Sequence, residues 1–184
     1  MKKNAGILKV FCTLALVFEI AIFVVVAIGE VMLLVSGSFS EMVAQHSNIV
    51  TVTGGDLTPQ EMDALKPVML AALGFSLFAL LFAILGTFKT RKVLTECQNE
   101  RPFSALSVDA LKASARFEVI AGIVGIVAAC VVAFMAAPIK VNGASVGNSS
   151  ASLNLSFLFY AWLKYLLYHV AEYGHRLESD PDKR

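Results

Sequence analysis

Charge is scarce in this chain. Asp, Glu, Lys and Arg make up 16% of its 184 residues, where a soluble domain has roughly 25%, and the two signs nearly cancel to a net charge of +1. Such a balance supplies no broad basic field, which argues against direct binding of nucleic acid. Cysteine is also sparse. Cys12, Cys97 and Cys130 show no C-x-x-C spacing and no clear disulfide pair. Cys12 and Cys130 lie in apolar runs and read as small buried hydrophobes. His46, His169 and His175 stand in three different settings, with no His-x-x-x-His or Cys/His spacing for a metal. No G-x-S-x-G elbow, phosphate loop or paired-carboxylate cleft is visible. The expectation is a non-enzymatic protein with no catalytic residue, no metal and no cofactor.

What is abundant is oil. Hydrophobic residues are 57% of the chain, gathered in four blocks near or above the ~20 residues that cross a bilayer. The blocks are Ile7 to Val35, Pro67 to Phe88, Phe117 to Ala137 and Leu153 to Tyr173, the last carrying the one Trp, at 162. No amphipathic helices remain to cover them, as a soluble core would need, so the lipid bilayer is the first partner. The first block would make a helix about 44 Å long, too long for the apolar region of a signal peptide, and reads as a retained anchor. Basic residues give a direction. Lys2, Lys3 and Lys9 precede the first block. Lys89, Arg91, Lys92, Arg101, Lys112 and Arg116 lie around the middle loop, and Arg176, Lys183 and Arg184 follow the fourth block. The opposite side has only Lys66 and Lys140. Positive residues stay inside. The predicted fold is an all-α transmembrane four-helix bundle in one domain, 1–184, of the cytoplasmic membrane, with both termini in the cytoplasm.

The loops carry turn and cap signals. Thr58, Pro59 and Glu61 form a capping-box pattern, predicting a short helix broken or kinked at Pro67. Ser107, with Asp109 in the first turn, reads as the N-cap of a helix that stands as a cytoplasmic stalk and enters lipid near Arg116. The run 48–53 reads as a strand. Asn142-Gly143 suits a two-residue hairpin over 139–146, so a small extracytoplasmic β-element is expected.

Within the blocks, Ala121, Gly125, Ala129, Ala133 and Ala137 place one small residue every four, a stripe suited to close helix packing. Glu19 and Lys164 fall at comparable depth in their helices with opposite signs. They could form a structural ion pair, line a ligand or sensing cavity, or, through Glu19, couple protons to transport. Tyr160 and Tyr168 flank Lys164 at helical spacing as a polar stripe, and Glu30 lies three turns beyond Glu19, near the outer boundary.

Two segments carry a resemblance. In "ERPFSALSVDAL", Pro102, Phe103, Ser104 and Leu111 match the pattern G-x-P-F-S-x-x-N-x-x-x-L, with Glu100 at the Gly and Ser107 at the Asn. In "AEYGHRLESDPD", Tyr173, Gly174, Leu177 and Asp180 match a tail of the type Y-G-x-x-L-x-x-E-x-D, with Glu178 displaced. The chain thus resembles the YoaS-like bacterial four-span membrane proteins, a domain of unknown function. The resemblance implies a membrane protein that senses for, or regulates, a cytoplasmic helix-turn-helix transcription factor. Arg101, Pro102, Phe103, Ser104, Ser107, Asp109, Tyr173, Gly174 and Leu177 would form its partner face, although a plain Pro-Phe-Ser turn anchoring the bundle base reads the same residues. A small proton-coupled transporter or exporter built on Glu19 is the alternative.

Overall fold

The structure, a computed structural model, describes residues 2–45, 58–141, 144–145 and 156–179. Its elements are α1 (Lys2–Val35), α2 (Phe39–Gln45), α3 (Pro59–Gln98), α4 (Ala105–Ala136), β1 (Lys140–Val141), β2 (Ala144–Ser145) and α5 (Ser156–Ser179). Helix is the form that satisfies every backbone donor and acceptor within one apolar segment. Three of the helices, α1, α3 and α4, are long and apolar enough to cross a membrane. At 34, 40 and 32 residues they extend about 50, 60 and 48 Å, well past a hydrocarbon core of roughly 30 Å. Their surfaces are oily: Phe18 is 67% and Phe134 83% exposed. In water that apolar exposure would drive aggregation, whereas lipid matches it. The chain is thus an α-helical protein of multi-pass membrane type. The remaining long helix, α5, is shorter at 24 residues and less apolar.

Contacts divide the chain into two compact units. The first comprises Met1–Phe23, Ala79–Ile123 and Asn154–Arg184, and the second Val24–Phe78 and Val124–Leu153.

In the second unit, α1 ends where the Lys66 ammonium donates to the carbonyls of Ser36 (2.6 Å) and Gly37 (3.4 Å), a cation at the negative end of the helix dipole. Ser38 caps α2 by accepting the Glu41 N–H at 3.1 Å. Asp63 then holds Ser40 through both its N–H and its hydroxyl. That backbone bond, foremost, keeps the Asp63 carboxyl below its ordinary range. The helix α2 lies where the sequence suggested only loop. The capping box forms as expected: the Glu61 carboxylate accepts from the Thr58 N–H (2.9 Å) and the Thr58 hydroxyl accepts from the Glu61 N–H (3.3 Å). Pro67, however, does not break the helix. The chain stays helical from Pro59 to Gln98, because one missing donor near the start of a 40-residue helix leaves the surrounding turns intact. Lys140 pairs with Ser145 and Val141 with Ala144 in an antiparallel ladder. The expected strand 48–53 and the Asn142-Gly143 turn lie outside the described residues.

In the first unit, α3 stops in a Schellman turn. Arg101 N–H reaches the Glu96 carbonyl (2.9 Å) and Glu100 N–H the Cys97 carbonyl (3.3 Å). Glu100 takes the left-handed position with φ of 61°, the conformation glycine adopts at no steric penalty. The N-cap of α4 is Ser104, not Ser107. Ser104 Oγ accepts the Ser107 N–H at 3.2 Å and its carbonyl accepts the Val108 N–H. Ser107 sits at the third helical position, fully buried, and Asp109 falls beyond the first turn. The Pro102-Phe103 turn sets this earlier start by directing Ser104 N–H to the Arg101 carbonyl.

Candidate functional site

Polar side chains in the first unit converge on one level of otherwise apolar helices. On α3, the Thr87 hydroxyl donates to Glu19 Oε1 of α1 at 2.9 Å, and the Thr87 carbonyl receives the Cys12 thiol at 3.5 Å. One turn on, the hydroxyls of Thr90 and Ser114 lie 2.9 Å apart, each within 3.1 Å of the Gly86 carbonyl. Each hydroxyl has one proton, so one donates to the carbonyl and the other to its neighbour. The two helices are in ordinary van der Waals contact at Gly86, where a Cβ would stand 3.6 Å from Phe117 Cβ. From α4, Glu118 forms an ion pair with Lys164 of α5 at 2.6 Å.

The partner of Lys164 is therefore Glu118, which corrects the expected pairing with Glu19. Ser114 and Glu118 lie four residues apart along α4, Ser114 against α3 and Glu118 against α5. Glu19 stays within electrostatic range of both Lys164 and Glu118, but its hydrogen bond comes from Thr87. Its second oxygen, Oε2, is buried with no hydrogen-bond partner among the described residues. Glu118 carries no expectation from sequence, because it sits one residue inside the third apolar block, at its edge. The signal was available: Ser107, Ser114 and Glu118 repeat at seven and four residues, one helical face.

Other expected residues scatter. Tyr160 is exposed and Tyr168 buried, so the two do not form one inner stripe with Lys164. Tyr168 belongs to an apolar cluster with Val108 and Ala171, against which Phe103 and Leu111 pack, and Lys112 lies over its ring at 5.3 Å. Within the second unit, Glu30 lies against Gly74, its Oε1 3.2 Å from where a Cβ would stand. Of the small-residue stripe, Ala121, Ala129 and Ala133 are half-buried. Gly125 faces open space and Ala137 is exposed, while the tight approach is at Gly122, directly against Phe157.

The expected partner face splits in two. Phe103 is an internal anchor: its Cδ1 lies 2.6 Å from where a Gly174 Cβ would be, so the ring occupies the space glycine leaves. Ser104 bonds the Glu96 carboxylate, and Ser107 is buried. Arg101, Asp109, Tyr173 and Leu177 remain exposed. Close by, burial and then the adjacent Glu96 carboxylate raise the Cys97 thiol above its ordinary value, which holds it protonated near neutral pH.

What this arrangement can do chemically is hold charge inside apolar surroundings and exchange a proton at a carboxyl oxygen. Among the described residues no three His, Cys, Asp or Glu side chains gather as a metal site. Comparison with protein-family models, curated proteins and solved structures gives no match.

Proposed function

We propose that the chain is a four-span, non-enzymatic protein of the cytoplasmic membrane, with both termini inside, acting as a sensing or regulatory protein. Its responsive element is the polar seam of Glu19, Thr87, Glu118 and Lys164. The observation that carries this reading is the Glu118–Lys164 pair with Glu19 in range. Ionisable groups within membrane helices are rare because each unpaired one costs roughly 2.5–3.5 kcal/mol, and their retention marks a role. Two features support α5 as a fourth span. Its 24 residues reach about 36 Å, and Phe159, Trp162, Leu166 and Val170 present apolar surface outward. The basic residues flanking α1, the α3–α4 turn and the end of α5 support the orientation.

The regulated partner, on this reading, is a cytoplasmic helix-turn-helix transcription factor, as the YoaS-like resemblance implies. Glu100 in a left-handed conformation agrees with the glycine of that pattern. Docking falls to the exposed Arg101, Asp109, Tyr173 and Leu177, since Phe103 and Ser107 face inward. The unpartnered Glu19 Oε2 favours a second reading, proton-coupled transport. One reconstitution separates the two. Protein in nanodiscs should retain a helix-turn-helix protein from its own operon and lose it when Tyr173 and Leu177 become Ala. Proton-dependent solute flux into vesicles that vanishes in Glu19→Gln would replace the regulatory reading with the transporter.

A further inference from the structure

Between α4 and α5 in the first unit runs an open groove of about 460 Å³, within the roughly 300–1,000 Å³ of small-molecule sites. Its floor is two buried alanines, Ala115 and Ala161, whose short side chains leave the depth. Val119 and Ile120 of α4 and Leu158 and Trp162 of α5 form apolar walls. The pairing of Glu118 with Lys164 and of Gly122 with Phe157 sets the two helices antiparallel. Arg116 and Tyr165 therefore stand at one end of the groove and Ile120 and Leu158 at the other.

The groove thus has a polarity gradient: one cation at its mouth and hydrocarbon beyond. Arg116 is exposed and has no ion-pair or hydrogen-bond partner among the described residues. Its neighbour one turn earlier, Lys112, is occupied by the Tyr168 ring. A planar guanidinium with five donors fits a phosphate oxygen pair better than any other side chain. An amphiphile with an anionic head and an acyl tail matches this distribution end to end, and a basic residue at a helix pair on the cytoplasmic side is the usual seat of such a head group.

We infer that the α4–α5 groove is a binding site for an anionic phospholipid, with Arg116 holding the phosphate and the acyl chain lying along Val119, Trp162 and Leu158. The site rests on the membrane reading above, with α5 as a span, and its preference for charge is a separate claim. It gives the protein a means of reading the composition of the inner leaflet next to the Glu118–Lys164 pair.

Trp162 is the only tryptophan of the chain and lines the groove, so it is a built-in reporter. The full-length protein would be reconstituted in phosphatidylcholine vesicles containing either acyl-brominated phosphatidylglycerol or acyl-brominated phosphatidylcholine, and the quenching of Trp162 fluorescence titrated. The expected result is about fivefold preference for phosphatidylglycerol, the weight of one basic residue at an anionic surface. Arg116→Gln should abolish the preference while leaving quenching by brominated phosphatidylcholine unchanged, and Arg116→Lys should keep part of it. Equal quenching by both lipids in the unsubstituted protein, or a preference that survives Arg116→Gln, overturns the site. Absence of quenching by either lipid would instead show that Trp162 does not face lipid, and would remove the fourth span along with the site.

Discussion

Replacing Lys164 by Met removes one half of the ion pair and leaves Glu118 charged among apolar helices. Breaking a buried pair from one side costs about 3–5 kcal/mol, and a lone charge at a helix centre roughly 2.5–3.5 kcal/mol. Here the two side chains keep 27% and 31% of their surface, so relaxation toward the interface lowers the loss to about 2–3 kcal/mol, roughly 30- to 140-fold in the folding equilibrium. Glu118→Gln should cost somewhat less, because the freed ammonium can snorkel on its long stem. The double variant should return to within about 1 kcal/mol of the unsubstituted protein, since no unpaired charge remains. The coupling energy is then about 3 kcal/mol, readable from unfolding in mixed micelles of rising SDS fraction followed by Trp162 fluorescence. A parallel cycle with Glu19→Gln should give a clearly smaller coupling, because Glu19 is held by Thr87 and meets Lys164 only at longer range. Additive losses at 118 and 164, or a larger coupling between 19 and 164, would refute the assignment of partners.

Three further outcomes follow from local geometry. Glu100→Gly should stabilise the protein by about 0.5–1 kcal/mol, as left-handed strain is relieved, and a lowered unfolding midpoint would mean that the Glu100 side chain contributes more than its backbone costs. Gly174→Ala should destabilise despite the better helix propensity of alanine, because its methyl meets the Phe103 ring; pairing it with Phe103→Leu should recover most of the loss, and failure to recover would exclude that clash. Asp63, whose pKa is depressed in the fold mainly by the Ser40 N–H, adds stability that is present above its unfolded value and lost as pH falls through the folded one. Amide exchange at Ser40 should therefore accelerate below the ordinary aspartate range in the native protein, and Asp63→Asn should show no such transition.

Much of this architecture was written in local chemistry. The capping box at Thr58 and Glu61 involves residues three apart, and its pattern names both partners. The apolar blocks of α1, α3 and α4 are legible because lipid imposes length and oiliness on each helix separately. What depended on neighbours was less legible. Ser104 and Ser107 are both able caps, and only the turn at Pro102-Phe103 decides between them. Phe103 looked like a docking residue until its contact with Gly174, 71 positions away in sequence, placed it inside. Lys164 had two carboxylates within plausible reach, and depth along a helix could not choose between Glu19 and Glu118. That choice depends on which faces meet. The small-residue stripe meets the same limit: periodicity defines a face but does not name what packs on it, and Gly122, off the stripe, receives Phe157.

Whether α5 crosses the membrane decides the account more directly than any substitution. Reporter fusions that are active on only one side of the membrane, joined after residues 98, 145 and 184, give the answer in one experiment. The account predicts that the fusions after 98 and 184 report the cytoplasm and that the fusion after 145 reports the opposite side. Reporters after 145 and 184 that share one side would leave the chain with three spans and contradict it.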